Sequence, residues 1–270
     1  MRMPHVLDLG LAYGLFYAAV LAGSLSIYFA TGFVLDRINR RHPERRIQDR
    51  SGAHRIRAEI RSSVGALSIS SALFAGGLFA QWAGFTPFAP LPLSWWSIPL
   101  AFLVLLVAYD AWFYAAHRLL HTKALYRFHV PHHRSVAPTP WSNDSSTAVD
   151  TLITHAFFLL IVFVVPVPPL VLIAHRVFDQ VSGMIGHSGY EHFASPSTRW
   201  PSLMISTLFH DQHHSSFHYN YGNVFSFWDR VFGTIHPGYD PGVKALEARI
   251  ASADGAPVAE PAASRPGGGR

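Results

Sequence analysis

Residues 98–121 read IPLAFLVLLVAYDAWFYAAHRLLH, an apolar run from Ile98 to Ala116 that ends on His117-x-x-x-His121. At about 1.5 Å per residue such a run can span roughly 30 Å of hydrocarbon as a helix. Positions i and i+4 share one helix face, so His117 and His121 reach one centre where that helix emerges. Two further clusters repeat the geometry, His129-x-x-His132-His133 and His210-x-x-His213-His214. Together the eight imidazoles exceed the roughly four to six ligand positions of one first-row ion, so two ions are the economical arrangement if all bind.

The surrounding chain predicts an all-α, polytopic membrane bundle. Half of its residues are hydrophobic, 14% are charged and mean hydropathy is positive, which is unusual for a soluble domain. A first apolar run, about Leu9 to Leu35, is longer than a signal-peptide core and lacks an A-x-A-like cleavage site, so it is expected to be a retained membrane helix. Arg37, Arg40, Arg41, Arg45, Arg46, Arg50, Arg55, Arg57 and Arg61 follow it, a density of positive charge that favours the cytoplasmic side. A second run, about Val64 to Trp82, leads to a turn rich in Pro87, Pro90, Pro92, Trp95 and Trp96, resembling an interfacial belt on the far side. The run from Ile98 returns. A fourth, about Leu152 to Ile185, is interrupted at Pro166-Val167-Pro168-Pro169 and reads as a hairpin of two shorter helices with both ends facing the cytoplasm. Hydropathy and arginines alone thus put all three histidine clusters on one side.

This reading divides the chain into an N-terminal membrane helix with an arginine-rich cytosolic loop (1–62), a membrane domain with a histidine-rich cap (63–245) and an Ala/Pro/Gly-rich tail expected to be disordered (246–270). Net charge is +5, but the arginines are not interleaved with stacking aromatics, and no nucleic-acid surface is expected. Cysteine is absent, leaving imidazole and carboxylate as the strong side-chain ligands. Imidazole suits iron, zinc, copper and nickel alike. A membrane metal transporter is an alternative, but it would carry polar residues along a crossing path. A zinc-dependent membrane hydrolase is another, yet no cluster holds the glutamate of H-E-x-x-H.

A ligating imidazole usually gives its outer N–H to a carboxylate or carbonyl. Asp110 lies two turns before His117 on the same face of an apolar span, where a charge usually marks function; pairing with Arg118 is its structural alternative. Glu191 and Asp229 are further candidates. Arg118, Arg127 and Arg134 have no lone pair to offer a metal and suit lipid headgroups or acidic neighbours. His5, His42, His54, His155, His175, His218 and His236 stand outside the clusters and read as ordinary polar residues.

The run Asp110-Ala-Trp-Phe-Tyr-Ala-Ala-His117-Arg118-Leu-Leu-His121, followed by Tyr126-Arg127-Phe128-His129-Val-Pro-His132-His133-Arg134-Ser135, resembles the fatty acid hydroxylase/sterol desaturase superfamily of integral membrane di-iron oxygenases. The likeness continues through His187-Ser188-Gly189-Tyr190-Glu191, Phe209-His210-Asp-Gln-His213-His214, Asn220-Tyr221-Gly222 and Trp228-Asp229-Arg230-Val-Phe232-Gly233-Thr234. It implies a helical membrane scaffold with a cytosolic cap holding two irons, where O2 is activated and a C–H bond of a sterol, fatty acyl, carotenoid or related lipid is hydroxylated. The same centre would serve a desaturase. The eight clustered histidines carry over as ligands and His187 as a ninth, with no catalytic residue expected beyond them; His192 could complete the set or stand beside it. Zinc could replace iron in a purified sample. No haem-binding or dinucleotide motif appears, so electrons are expected from a ferredoxin or a cytochrome b5-type partner with its reductase. The expected location is a bacterial cytoplasmic or ER-type membrane, with a substrate tunnel between the helices that Phe113, Tyr114 and the Trp95-Trp96 belt could shape.

Overall fold

In hydrocarbon a chain can satisfy its backbone polar groups internally only as helices or a closed barrel, and the apolar runs of this protein all become helices. The computed structural model describes residues 6–253 and 255. Helix α1 spans Val6–Arg41, α2 Ile56–Trp82 and α3 Ser97–Leu120, all three long and apolar enough to cross a membrane. Only 28% of the apolar window of α3 is buried. Its exposed stripe holds Leu100, Leu103 and Val107, at the i, i+3, i+7 spacing of one helix face, which suits contact with lipid. Trp95 and Trp96 stand exposed just before it, as an interfacial belt requires.

The fourth apolar run folds as a hairpin. Helix α5 (Ala148–Leu160) continues through a 3-10 turn to Phe163, and α6 (Pro169–Gly186) starts on a proline at its first position, where the missing N–H costs nothing. At the tip, the Leu91 N–H donates to the Pro166 carbonyl (2.9 Å) and Gln81 Nε2 to the Val167 carbonyl (2.8 Å). The hairpin therefore reaches the α2–α3 turn, at the end of the bundle opposite the histidines. Its core joins four helices through Phe74, Leu105, Tyr109, Phe158 and Leu172.

The remaining helices are short and gather at the other end: α4 (Tyr126–His133), α7 (Thr207–Ser216), α8 (Phe227–Val231) and α9 (Tyr239–Ala253). The described residues contain no strand, only isolated bridges at Arg46–Tyr190 and Met204–Phe225. Two expected boundaries shift. The division between 62 and 63 falls inside α2, because α1 packs on α2 and α6 as part of the same bundle. Where a disordered tail was expected from 246, α9 continues to Ala253, since Tyr239, Val243 and Leu246 bury themselves against Leu208 and Phe209 of α7. Apart from Gly255, the rest of that tail lies outside the described residues.

Close approach of backbones drives helix association in lipid, which favours small residues at contacts. A Cβ on Gly77 of α2 would lie 2.4 Å from the Phe158 carbonyl oxygen of α5. Gly77→Leu is expected to destabilise the bundle by about 1–3 kcal/mol, read as a lower thermal midpoint in detergent; Gly65→Leu, whose added Cβ meets nothing within 4 Å, is the control and should leave the midpoint unchanged.

Candidate metal centre

The last turn of α3 supplies His117, with His121 capping its end; α4 supplies His129, His132 and His133, the end of α6 His187, and α7 His210, His213 and His214. The structure brings all nine together as two groups whose candidate ligand atoms lie within 4.8 Å of one another. His117, His121, His129, His133 and His213 form one; His132, His187, His210 and His214 form the other. In both, Nε2 faces Nε2. The first group has separations of 3.1 Å for His117–His129, 3.1 Å for His121–His133 and 3.2 Å for His133–His213. The second has 3.3 Å for His132–His187, 2.9 Å for His187–His210 and 3.1 Å for His210–His214.

The outer ring nitrogens explain what faces inward. His117 Nδ1 donates to the Tyr221 carbonyl (2.9 Å), His187 Nδ1 to the Gly183 carbonyl (2.8 Å) and His213 Nδ1 to the Tyr219 carbonyl (2.6 Å). A carbonyl only accepts, so the proton is on Nδ1 and a neutral ring points its Nε2 lone pair inward. His129 Nδ1 likewise faces Asp150 Oδ2 at 2.8 Å. The 3.1 Å His117–His129 contact thus opposes two lone pairs, an arrangement that a shared cation relieves. With nitrogens about 2.1 Å from a metal, the edge of an octahedron is roughly 3.0 Å, which matches the observed spacings. The donor set therefore fits two metal ions.

Burial, reinforced by neighbouring imidazoles, keeps eight of these rings neutral. It pushes His121 down to about 3 and His187 to about 4, and holds His132, His133, His210, His213 and His214 below the ordinary histidine range. Neutral imidazole is the form that binds metal.

The three carboxylates singled out in the sequence touch backbone rather than imidazole. Asp110 Oδ1 accepts the N–H groups of Val224 (2.8 Å) and Phe225 (3.1 Å), so neither a direct bond to His117 nor a pair with Arg118 is formed. Asp229 accepts the N–H groups of Tyr221 and Gly222, both at 2.8 Å. These two clamp the 221–225 loop, whose Tyr221 carbonyl orients His117. Glu191 accepts the Leu208 N–H (2.9 Å) at the start of α7, while its own N–H donates to the Arg45 carbonyl (2.8 Å). It fixes the helix that carries three histidines. Asn220 adopts a left-handed turn (φ 59°) and donates from Nδ2 to the Phe209 carbonyl. The carboxylate that does reach a ring is Asp150, in the first turn of α5, where an acidic residue reads as an ordinary partner of the helix dipole.

A cavity of about 620 Å³, within the range of ligand sites, opens beside the histidines and extends between α2, α3, α5 and α6. His117, His129, His132, His187 and His210 line it, as do Tyr109 and Phe113. Tyr114 instead stacks on Phe232 (ring centroids 5.6 Å), and Trp95 and Trp96 lie exposed before α3. His192 lines the cavity outside both groups, its buried Nε2 without a hydrogen-bond partner among the described residues. The wall also holds Asp144, Arg176 and Asp179, charged residues that the hydropathy reading passed over.

Residues 102–234, which hold all nine histidines, match the model of the fatty acid hydroxylase family. The matched stretch is a fatty acid hydroxylase domain. It is 32% identical over 157 residues to methylsterol monooxygenase 1 of Gallus gallus, covering 56% of this chain and 53% of that protein. It is 29% identical over 188 residues to a Delta(7)-sterol 5(6)-desaturase of Aspergillus fumigatus (67% and 53%), and 26% identical over 229 residues to lathosterol oxidase of Homo sapiens (83% and 71%). The chain spans about half the length of the methylsterol monooxygenases it matches. No solved structure matches it.

Asp150→Ala is expected to weaken metal retention about 10- to 100-fold, as loss of an imidazole's outer partner does, measured by competition with a chelator; retention equal to wild type would remove Asp150 from this role. A second expectation concerns acid. Eight of the nine histidines titrate below their unfolded value of about 6.5 when folded, so at these positions the unfolded chain binds more protons between that value and folded ones such as those of His121 and His187 near 3 to 4. The histidines' contribution to the stability of the metal-free protein should be constant above about pH 7 and be lost as pH drops from 6.5 towards 4, partly offset by Asp211 and Asp229, whose carboxyls burial raises to about 7 and about 6, and read as a falling thermal midpoint.

Proposed function

We propose that this protein is a multi-pass membrane di-iron oxygenase that hydroxylates a lipid with O2 and electrons from a separate donor. The observation that carries the reading is the convergence of nine Nε2 atoms on two centres at one end of a cavity between membrane helices. His117, His121, His129, His133 and His213 would hold one iron, and His132, His187, His210 and His214 the other. Two irons bound there would supply reductive activation of O2 for attack on an unactivated C–H bond. The protein's own groups prepare the site. Asp150 and the Tyr219, Tyr221 and Gly183 carbonyls keep the ring protons outward, while Tyr109 and Phe113 give the cavity an apolar wall against water. The arginine-rich segment lies at the histidine end: the Ile47 N–H donates to the Gly189 carbonyl at 3.0 Å. With positive residues retained inside, the centre faces the cytosol, within reach of a ferredoxin or cytochrome b5-type donor.

Desaturation of the lipid is the second reading. It is supported by the desaturase among the relatives, and it needs the same centre with a second hydrogen removed in place of oxygen transfer.

Protein purified anaerobically and loaded with iron is expected to hold two irons per chain and, once reduced, to consume O2 with lipid present; fewer irons, or no O2 uptake with any lipid, would refute the proposal. Mass spectrometry of lipids from cells with and without the protein separates the readings, as a gain of one oxygen marks hydroxylation and a loss of two hydrogens desaturation. His187→Ala should lower the iron content, and an unchanged content would remove His187 from the ligand set.

A further inference from the structure

Helix α6 sets an axial scale along the cavity. Arg176, Asp179, Gly183 and His187 follow one another at intervals of three, four and four residues, so they share one helix face, and all four line the cavity. At about 1.5 Å per residue, Arg176 precedes His187 by roughly 16 Å along the axis. One end of this face meets the metal centre. The other carries a buried charged group, expensive in a membrane hairpin and typical of function there.

Arg176 is only 4% exposed. Its Nη1 donates to Asp179 Oδ2 at 3.2 Å, and its guanidinium lies over the Phe158 ring at 5.6 Å. Nη2 has no hydrogen-bond partner among the described residues, although a buried donor left unmatched is costly. Asp179 Oδ1 accepts from Asn223 Nδ2 (3.3 Å), and Asp144 Oδ2 accepts from Asn143 Nδ2 (3.0 Å); both carboxylates line the cavity with Arg176. One guanidinium beside two carboxylates leaves a formal charge of −1 when both are ionised. Such a group offers a free donor and spare acceptor lone pairs together, but it repels a further anion.

We propose that Arg176, with Asp144 and Asp179, is the subsite for an uncharged hydroxyl group of the lipid, which positions the carbon to be oxidised at the far end of α6. The hydroxyl oxygen accepts from the guanidinium and its hydrogen goes to a carboxylate. A hydrocarbon would leave the donor unmatched, and a carboxylate or sulfate would meet like charge. The substrate class is therefore an alcohol, an inference that rests on the lipid-oxygenase reading above.

The test is equilibrium binding under nitrogen, so that no turnover enters, to iron-loaded full-length protein in nanodiscs. Two matched sets serve as probes: cholestanol, cholestane and cholestanyl sulfate, and octadecanol, octadecane and octadecanoate. On at least one scaffold the alcohol should bind roughly 10- to 100-fold more tightly than the hydrocarbon, as expected for a hydrogen bond to a charged group, and more tightly than the anion. Arg176→Met should bring alcohol and hydrocarbon within about twofold, whereas a general loosening of the cavity would weaken both equally. Asp179→Asn should narrow the gap between alcohol and anion by lowering the negative charge, and it decides the matter if Arg176→Met does not fold. Equal binding of alcohol and hydrocarbon by the wild type, no alcohol binding on either scaffold, or ratios that neither variant changes would overturn the subsite. Loss of O2 chemistry with these ratios intact would sink the oxygenase reading alone.

Discussion

The opposition of imidazole lone pairs is the constraint on which the rest of this molecule depends. His117 and His129, whose Nδ1 atoms are committed to a carbonyl and a carboxylate, have nothing to donate at Nε2, yet their Nε2 atoms sit 3.1 Å apart. Without a cation that arrangement is repulsive, and it persists only if these two rings are held from behind. The buried carboxylates provide this support. Asp150 holds His129 directly, Asp110 and Asp229 pin the loop whose carbonyl holds His117, and Glu191 pins the start of α7. Each of these four carboxylates is matched by hydrogen bonds, which is the condition for tolerating it in an interior. The centre is thus preorganised by polar contacts that lie at one remove from any metal.

The bundle and the cap do different physical work. Among the helices, contact is by close packing, with Gly77 against the α5 backbone and Gly32 so close to the Trp141 ring that a Cβ would lie 2.5 Å from it. At the histidine end, short segments are joined by hydrogen bonds over long sequence separations, such as Asp110 to Val224 and Arg45 to Glu191. Lipid supplies no competing hydrogen bonds to the first region, whereas the second must resist water.

What could be read from the sequence follows the same division. The membrane helices were visible because a long apolar run has one stable form in lipid, and the prolines at 166–169 marked the hairpin. The histidines were visible because helical spacing alone aligns each cluster. The roles of the carboxylates were not. Asp110 shares a helix face with His117, and the pattern says nothing of a loop more than a hundred residues downstream that claims its oxygens. Asp150 was hidden by looking like a routine helix-start residue, and Arg176 and Asp179 by sitting in a segment whose average hydropathy is high. The helical extent of α9 was obscured because an Ala-rich composition suits either a helix or a tail, and contacts from Val243 and Leu246 decide it.

Placing the proposed hydroxyl subsite and His187 on one helix has a consequence for selectivity. Distance along α6 is fixed by backbone hydrogen bonds, so the interval between the anchored oxygen and the metal centre does not depend on loop conformation. Substitutions at Ala66, Ser70, Tyr109 and Phe113 of α2 and α3, which also line the cavity, would change its width without altering that interval. Changes there should alter which lipid bodies fit, while the carbon presented to the centre stays set by the length of α6. A protein built this way separates the choice of substrate from the choice of position, and lengthening or shortening α6 by one turn, about 5.4 Å, is the change that would move the site of oxidation.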